Sequence, residues 1–97
     1  MRDEQREYFA DLKEAVETAT DCESKAAALA PWTEAHRARL LEISAVYRRL
    51  PNAQGVHFLQ ELSMSVFGIY DFETCKGNAA YEAARDRLMD MRKLLWR

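Results

Sequence analysis

The chain predicts an all-α fold: a small antiparallel helical bundle of about four helices, forming one domain over residues 1–97. Apolar residues recur at steps of three and four along most of its length, which is the pattern of a helix with one buried face. Three Gly and two Pro in 97 residues leave few turn formers. That suits a few long elements and not the many short strands of a β fold. With 48% apolar and 31% charged residues, the chain has enough apolar material to build a core.

The first stripe is Tyr8, Phe9, Leu12, Ala15, Val16, Ala19, Cys22, Ala26 and Leu29, predicting a helix over about 3–29. Asp3 and Glu4 fall in its first turn, where the helix dipole favours negative charge. Thr20-Asp21-Cys22-Glu23 has the form of a capping box that could start a new helix. The apolar period passes through it without a phase change, so a continuous helix is the expectation. Pro31 then suits the first turn of a second helix over 31–50, whose stripe is Trp32, Ala35, His36, Leu40, Ile43, Val46, Tyr47 and Leu50.

Leu50-Pro51-Asn52 is the clearest turn, with Leu50 pushed out of the helical region by Pro51 and Asn52 the expected cap of a third helix. That helix is expected over 53–76, with Phe58, Leu59, Leu62, Val66, Ile69 and Tyr70 as its stripe. Gly68 inside it costs about 1 kcal/mol relative to Ala, and marks a kink, a close crossing or a break. Gly77 reads as a left-handed helix end and Asn78 as the cap of a last helix over 79–96. Tyr81, Ala84, Leu88, Met91 and Leu95 give that helix its stripe. Net charge alternates along the four segments, −4 over 1–30, +2 over 31–50, −2 over 51–77 and +2 over 78–97, which favours sequential antiparallel packing.

Several function classes find little support. A net charge of −2 provides no general basic field for nucleic acid. The third helix, apolar and holding Glu61, is unsuited to reading a DNA groove. Arg85, Arg87, Arg92, Lys93 and Arg97 are a basic stretch, interrupted by Asp86 and Asp90. No apolar run approaches the ~20 residues of a membrane span, and the acidic start does not read as a signal peptide. A cytoplasmic location with both thiols reduced is the expectation. Cys22, His36, His57 and Cys75 lack the close paired spacing of a zinc site, so neither metal nor cofactor is expected. Arg37, Arg39, Arg48 and Arg49 could line an anion pocket between the second and last helices, which is the basis for a small enzyme as an alternative.

The remaining signal is a surplus. One stripe per helix suffices for a bundle, yet Met64, Phe67, Phe72, Met89, Leu94 and Trp96 lie beyond the stripes of the last two helices. A central helix buried all round would absorb some of them, but the polar faces of the first two helices cannot cover them all. Exposed aromatic and Met side chains mark protein interfaces. Met64, Phe67, Tyr70, Phe72, Met89, Leu95 and Trp96 are therefore the expected partner-binding residues. The expected function is a small non-enzymatic regulatory protein that sequesters a partner, for example an antiactivator of a transcription factor. Such a chain would itself be a homodimer, and an assembly homodimer with no further partner is the other non-enzymatic alternative.

Overall fold

The first apolar stripe does not continue as one rod; it folds back on itself. In the computed structural model, which describes residues 1–69 and 75–96 apart from the side chain of Asn52, four helices run in order: α1 (Arg2–Thr18), α2 (Cys22–Arg49), α3 (Asn52–Phe67) and α4 (Ala79–Trp96). The all-α bundle expected from periodicity is present, and no strand occurs among the described residues.

The break between α1 and α2 corrects the expected continuous helix. Ala19 is extended (φ −68°, ψ 136°), and Asp21 caps α2 by accepting from the Ser24 amide at 2.7 Å. Lys25 reaches back from α2 to donate to the Val16 carbonyl at 2.7 Å, satisfying one of the orphan acceptors at the end of α1. The apolar period survived the break because both sides of it face the same core, so phase alone could not reveal it. Pro31 in turn is not a helix start but lies inside α2. Its ring removes the hydrogen bond to the Ala27 carbonyl. Ala27 and Pro31 both lie at the surface, where water can satisfy that carbonyl.

α1 packs antiparallel on the first half of α2. Phe9 meets Trp32, with ring centroids 5.1 Å apart, and Trp32 Nε1 donates to the Tyr8 carbonyl. His36 stacks on Trp32 and tilts against Tyr8, so it is a packed boundary residue. After the Leu50-Pro51 turn α3 returns antiparallel along the second half of α2, with Phe58 against Tyr47. Pro51, not Asn52, is the N-cap, and no side chain caps this end. Gly55 in the first turns of α3 presses directly on the Tyr47 and Leu50 carbonyls at the end of α2.

Helical structure in α3 ends at Phe67, with Gly68 as its C-cap, so the predicted helix over 53–76 is not one continuous run; residues 70–74 of that stretch lie outside the described residues. Gly77 adopts the expected left-handed conformation (φ 89°), and Asn78 Oδ1 accepts from the Tyr81 amide at 2.9 Å to cap α4. α4 lies parallel to α2 and makes the most extensive pairing in the bundle. Arg87 pairs with Glu34, and Arg48 donates to the Leu94 and Leu95 carbonyls at the end of α4. The core comprises Phe9, Leu12, Leu29, Leu40, Ile43, Tyr47, Leu62, Val66, Leu88, Met91 and others in one cluster. At about 1.5 Å per residue α2 is about 42 Å long, matching the 43 Å long axis of the molecule.

Cys22 and Cys75 form a disulfide with Cα atoms 5.6 Å apart, which corrects the expectation of two reduced thiols. The fold brings the start of α2 and the turn before α4 to the same end of the bundle, and this places the two sulfurs together.

Ion pairs stitch the surface. Glu61 on α3 accepts from Arg2 and Arg6 on α1, and Arg39 on α2 forms a two-pronged pair with Glu4 at 2.7 and 2.6 Å. The Arg39 guanidinium, helped by the Tyr8 hydroxyl, holds the Glu4 carboxyl at about 2 against an ordinary 4.5. A depressed carboxyl stabilises the fold above its unfolded value and loses that contribution as pH falls through its folded one. Wild type should therefore be more stable than Arg39→Met at neutral pH, and the gap should close between 4.5 and about 2. Urea midpoints of both chains across that range test this; a gap that persists at the acid end contradicts it.

Candidate functional site

α3 and α4 lie side by side and antiparallel, each burying one stripe and turning another outward. On α3, Leu62, Ser63 and Val66 face the core. Val56, Met64 and Phe67 are spaced by eight and three and share the outer face. They are 52%, 63% and 38% exposed. On α4, Tyr81, Ala84, Leu88, Met91 and Leu95 face inward. The neighbouring stripe is Met89, Arg92 and Trp96, at steps of three and four, with Trp96 46% exposed.

The two outer stripes meet in a shallow groove of about 230 Å³ lined by Gln60, Ser63, Met64, Arg92 and Trp96. Arg92 lines it, with its guanidinium carbon 3.9 Å from the centroid of the Phe67 ring. That contact places Phe67 at the edge of the same groove, so one cation links the α3 and α4 residues. Arg92 Nε is buried without a hydrogen-bond partner, and no ion pair to Arg92 occurs among the described residues. Lys93, next along the helix, approaches Asp90 at 3.9 Å.

Of the residues expected to bind a partner, the fold brings Met64, Phe67 and Trp96 together on this surface. Met89 is half-buried against the core at the margin. Leu95 is corrected: it is 1% exposed and belongs to the core stripe of α4, one residue short of the outward Trp96. Tyr70 and Phe72 lie outside the described residues. Sequence reasoning missed Arg92 and Val56. Arg92 sits four residues before Trp96 and three after Met89, a spacing that marks it as part of the same face, but it was grouped with the basic stretch by type.

Other surfaces offer less. An open groove of about 490 Å³ between α2 and α4 is lined chiefly by alanines, with Glu23 and Arg87 as its charged residues. Arg87 is paired to Glu34, so few polar groups converge there. The arginines considered for an anion pocket do not converge: Arg39 is held by Glu4 and Glu42, Arg48 by the end of α4, and Arg37 and Arg49 are exposed. Cys22 and Cys75 are joined to each other. Among the described residues no group of three His, Cys, Asp or Glu side chains is arranged to hold a metal ion. No described helix is long and apolar enough to cross a membrane.

Comparison of the chain with protein-family models, with curated proteins and with solved structures found no match.

Proposed function

We propose that this chain is a non-enzymatic binding protein that regulates a partner protein by occupying its surface with the α3–α4 face. The observation that carries this reading is the meeting of Met64, Phe67 and Trp96, all exposed, around one groove. Large apolar side chains scattered singly need no explanation, but a contiguous set is what interfaces use. Trp, Met and Arg are the residue types enriched at such surfaces, and anchors of this kind supply most of the binding energy. Sequestering a transcription factor by covering the surface it needs, as an antiactivator does, is the regulatory class that fits the size and the face. A homodimer built through the same face is the second reading; it would use the same exposed residues but set Arg92 of each copy near the other.

The disulfide bears on where the protein works. Such bridges persist in oxidising surroundings, and in a reducing cytoplasm the same pair would stand as two thiols.

Phe67→Asp and Trp96→Asp test the reading. Both positions are exposed, so each variant should keep its helical circular dichroism and melt within about 4 °C of wild type. Each should lose partner capture in a pull-down from the native cell. Light scattering across a dilution series should show whether self-association goes with it. Folded variants that retain both capture and self-association refute the proposal.

A further inference from the structure

We infer that the occupant of the α3–α4 groove is an amphipathic helix of another protein that presents a carboxylate, set within its apolar face, to Arg92. This rests on the docking reading above and adds the chemistry of the partner. A groove between two antiparallel helices accepts a third helix by ridges-into-grooves packing. At about 230 Å³ the groove falls below the ~300–1,000 Å³ of small-molecule sites and takes one or two inserted side chains instead.

The charge selects the partner. Phe67 covers one face of the Arg92 guanidinium and Nε is buried, which leaves the in-plane N–H donors of the two terminal nitrogens to meet a partner. A partner seated on Met64, Phe67 and Trp96 takes this cation further out of water. Covering it without an acceptor leaves an uncompensated charge, which is strongly unfavourable. A carboxylate matches the planar fork with two charge-assisted bonds. A second copy of the chain fits poorly. A two-fold contact centred on this groove would bring Arg92 of each copy towards the other, setting like charges together.

The test is a display library of helical peptides with an apolar face, randomised at the positions within it, selected on the full chain and counter-selected on Phe67→Asp. Met64→Asp, at the most exposed position of the face, takes its place should Phe67→Asp fail to fold. Enriched peptides are expected to carry Asp or Glu flanked by large apolar residues at i±3 or i±4. Replacing that Glu by Gln should weaken binding to wild type about tenfold or more. Arg92→Gln should bind the Glu and Gln peptides alike.

Binders that depend on the face yet lack an acidic residue overturn this inference and leave the docking reading standing. So does a Glu-to-Gln loss that persists in Arg92→Gln. Absence of any face-dependent binder overturns both. Self-association that Phe67→Asp abolishes, seen by light scattering, makes the occupant a second copy and also overturns the inference.

Discussion

Opening the Cys22–Cys75 bridge is expected to lower the stability of the folded chain by about 4 kcal/mol on the loop-entropy account of disulfides. The bridge spans 53 residues of sequence, a long loop for a chain of 97. A free chain must lose the entropy of bringing those ends together, and the cross-link removes most of that freedom from the unfolded state in advance. The tie also pins one end of the α2–α4 pairing. It holds the first residue of α2 to the turn that precedes α4, where the cap of α4 by Asn78 begins. For a protein of this size a loss of that order lowers Tm by roughly 20 °C. Urea titrations of the oxidised chain, the reduced chain and Cys22→Ser/Cys75→Ser check it. The two bridge-free forms should agree with each other and melt far below the oxidised one. Equal midpoints for all three would mean that the folded contacts alone hold this end of the bundle. The outcome also bears on the α3–α4 face. The groove lies at the far end of α4 from the bridge, so capture by a chain that stays folded should be unaffected by reduction.

What was legible in the sequence was what is local. The start of α4 followed from Gly77 and Asn78, because a left-handed glycine and an Asx cap declare themselves within a few residues. The core stripes followed from spacing, and Leu12, Leu40, Leu62 and Leu88 all occupy the interior. The α1–α2 break falls about ten residues before the expected one because two signals compete. A proline at Pro31 is a strong breaker on average, whereas Asp21 is a modest cap, yet tertiary packing of Phe9 on Trp32 requires the chain to turn at 19–21. Non-local pairings were beyond reach. Nothing near Cys22 indicates Cys75, and the parallel match of α2 to α4 depends on how α3 returns. The candidate surface was half legible for a similar reason. Counting apolar residues beyond one stripe found Met64, Phe67 and Trp96. It could not separate Leu95 from Trp96 without knowing the rotation of α4, nor show that Arg92 stands among them.

Replacing Gly55, inside α3, and Gly68, its C-cap, by alanine is expected to give opposite signs. Both changes reduce the freedom of the unfolded chain, which stabilises by about 0.4–1 kcal/mol where the native backbone suits Ala. At Gly68 nothing among the described residues opposes it. Its backbone is already right-handed (φ −64°, ψ −13°), and a Cβ there would meet the Ser65 carbonyl oxygen at an ordinary 3.6 Å. Gly68→Ala should therefore stabilise the chain by about 0.5 kcal/mol. At Gly55 a Cβ would overlap the Tyr47 carbonyl oxygen and lie 3.0 Å from that of Leu50. Both are backbone atoms of the α2 terminus, and the Leu50 amide is itself bonded to the Tyr47 carbonyl at 3.2 Å, so neither can rotate aside as a side chain would. Relief requires α3 to move off α2 as a body. That disturbs the packing of Phe58 against Tyr47. Overpacking against a rigid neighbour costs about 1–3 kcal/mol. Gly55→Ala should thus be net destabilising by about 2 kcal/mol despite its better helix propensity. Thermal melts of the two variants beside wild type decide the matter. A Gly55→Ala chain as stable as Gly68→Ala would show that α3 does not press on the end of α2. It would also show that the placement of Met64 and Phe67 on the outer face is not set by that contact.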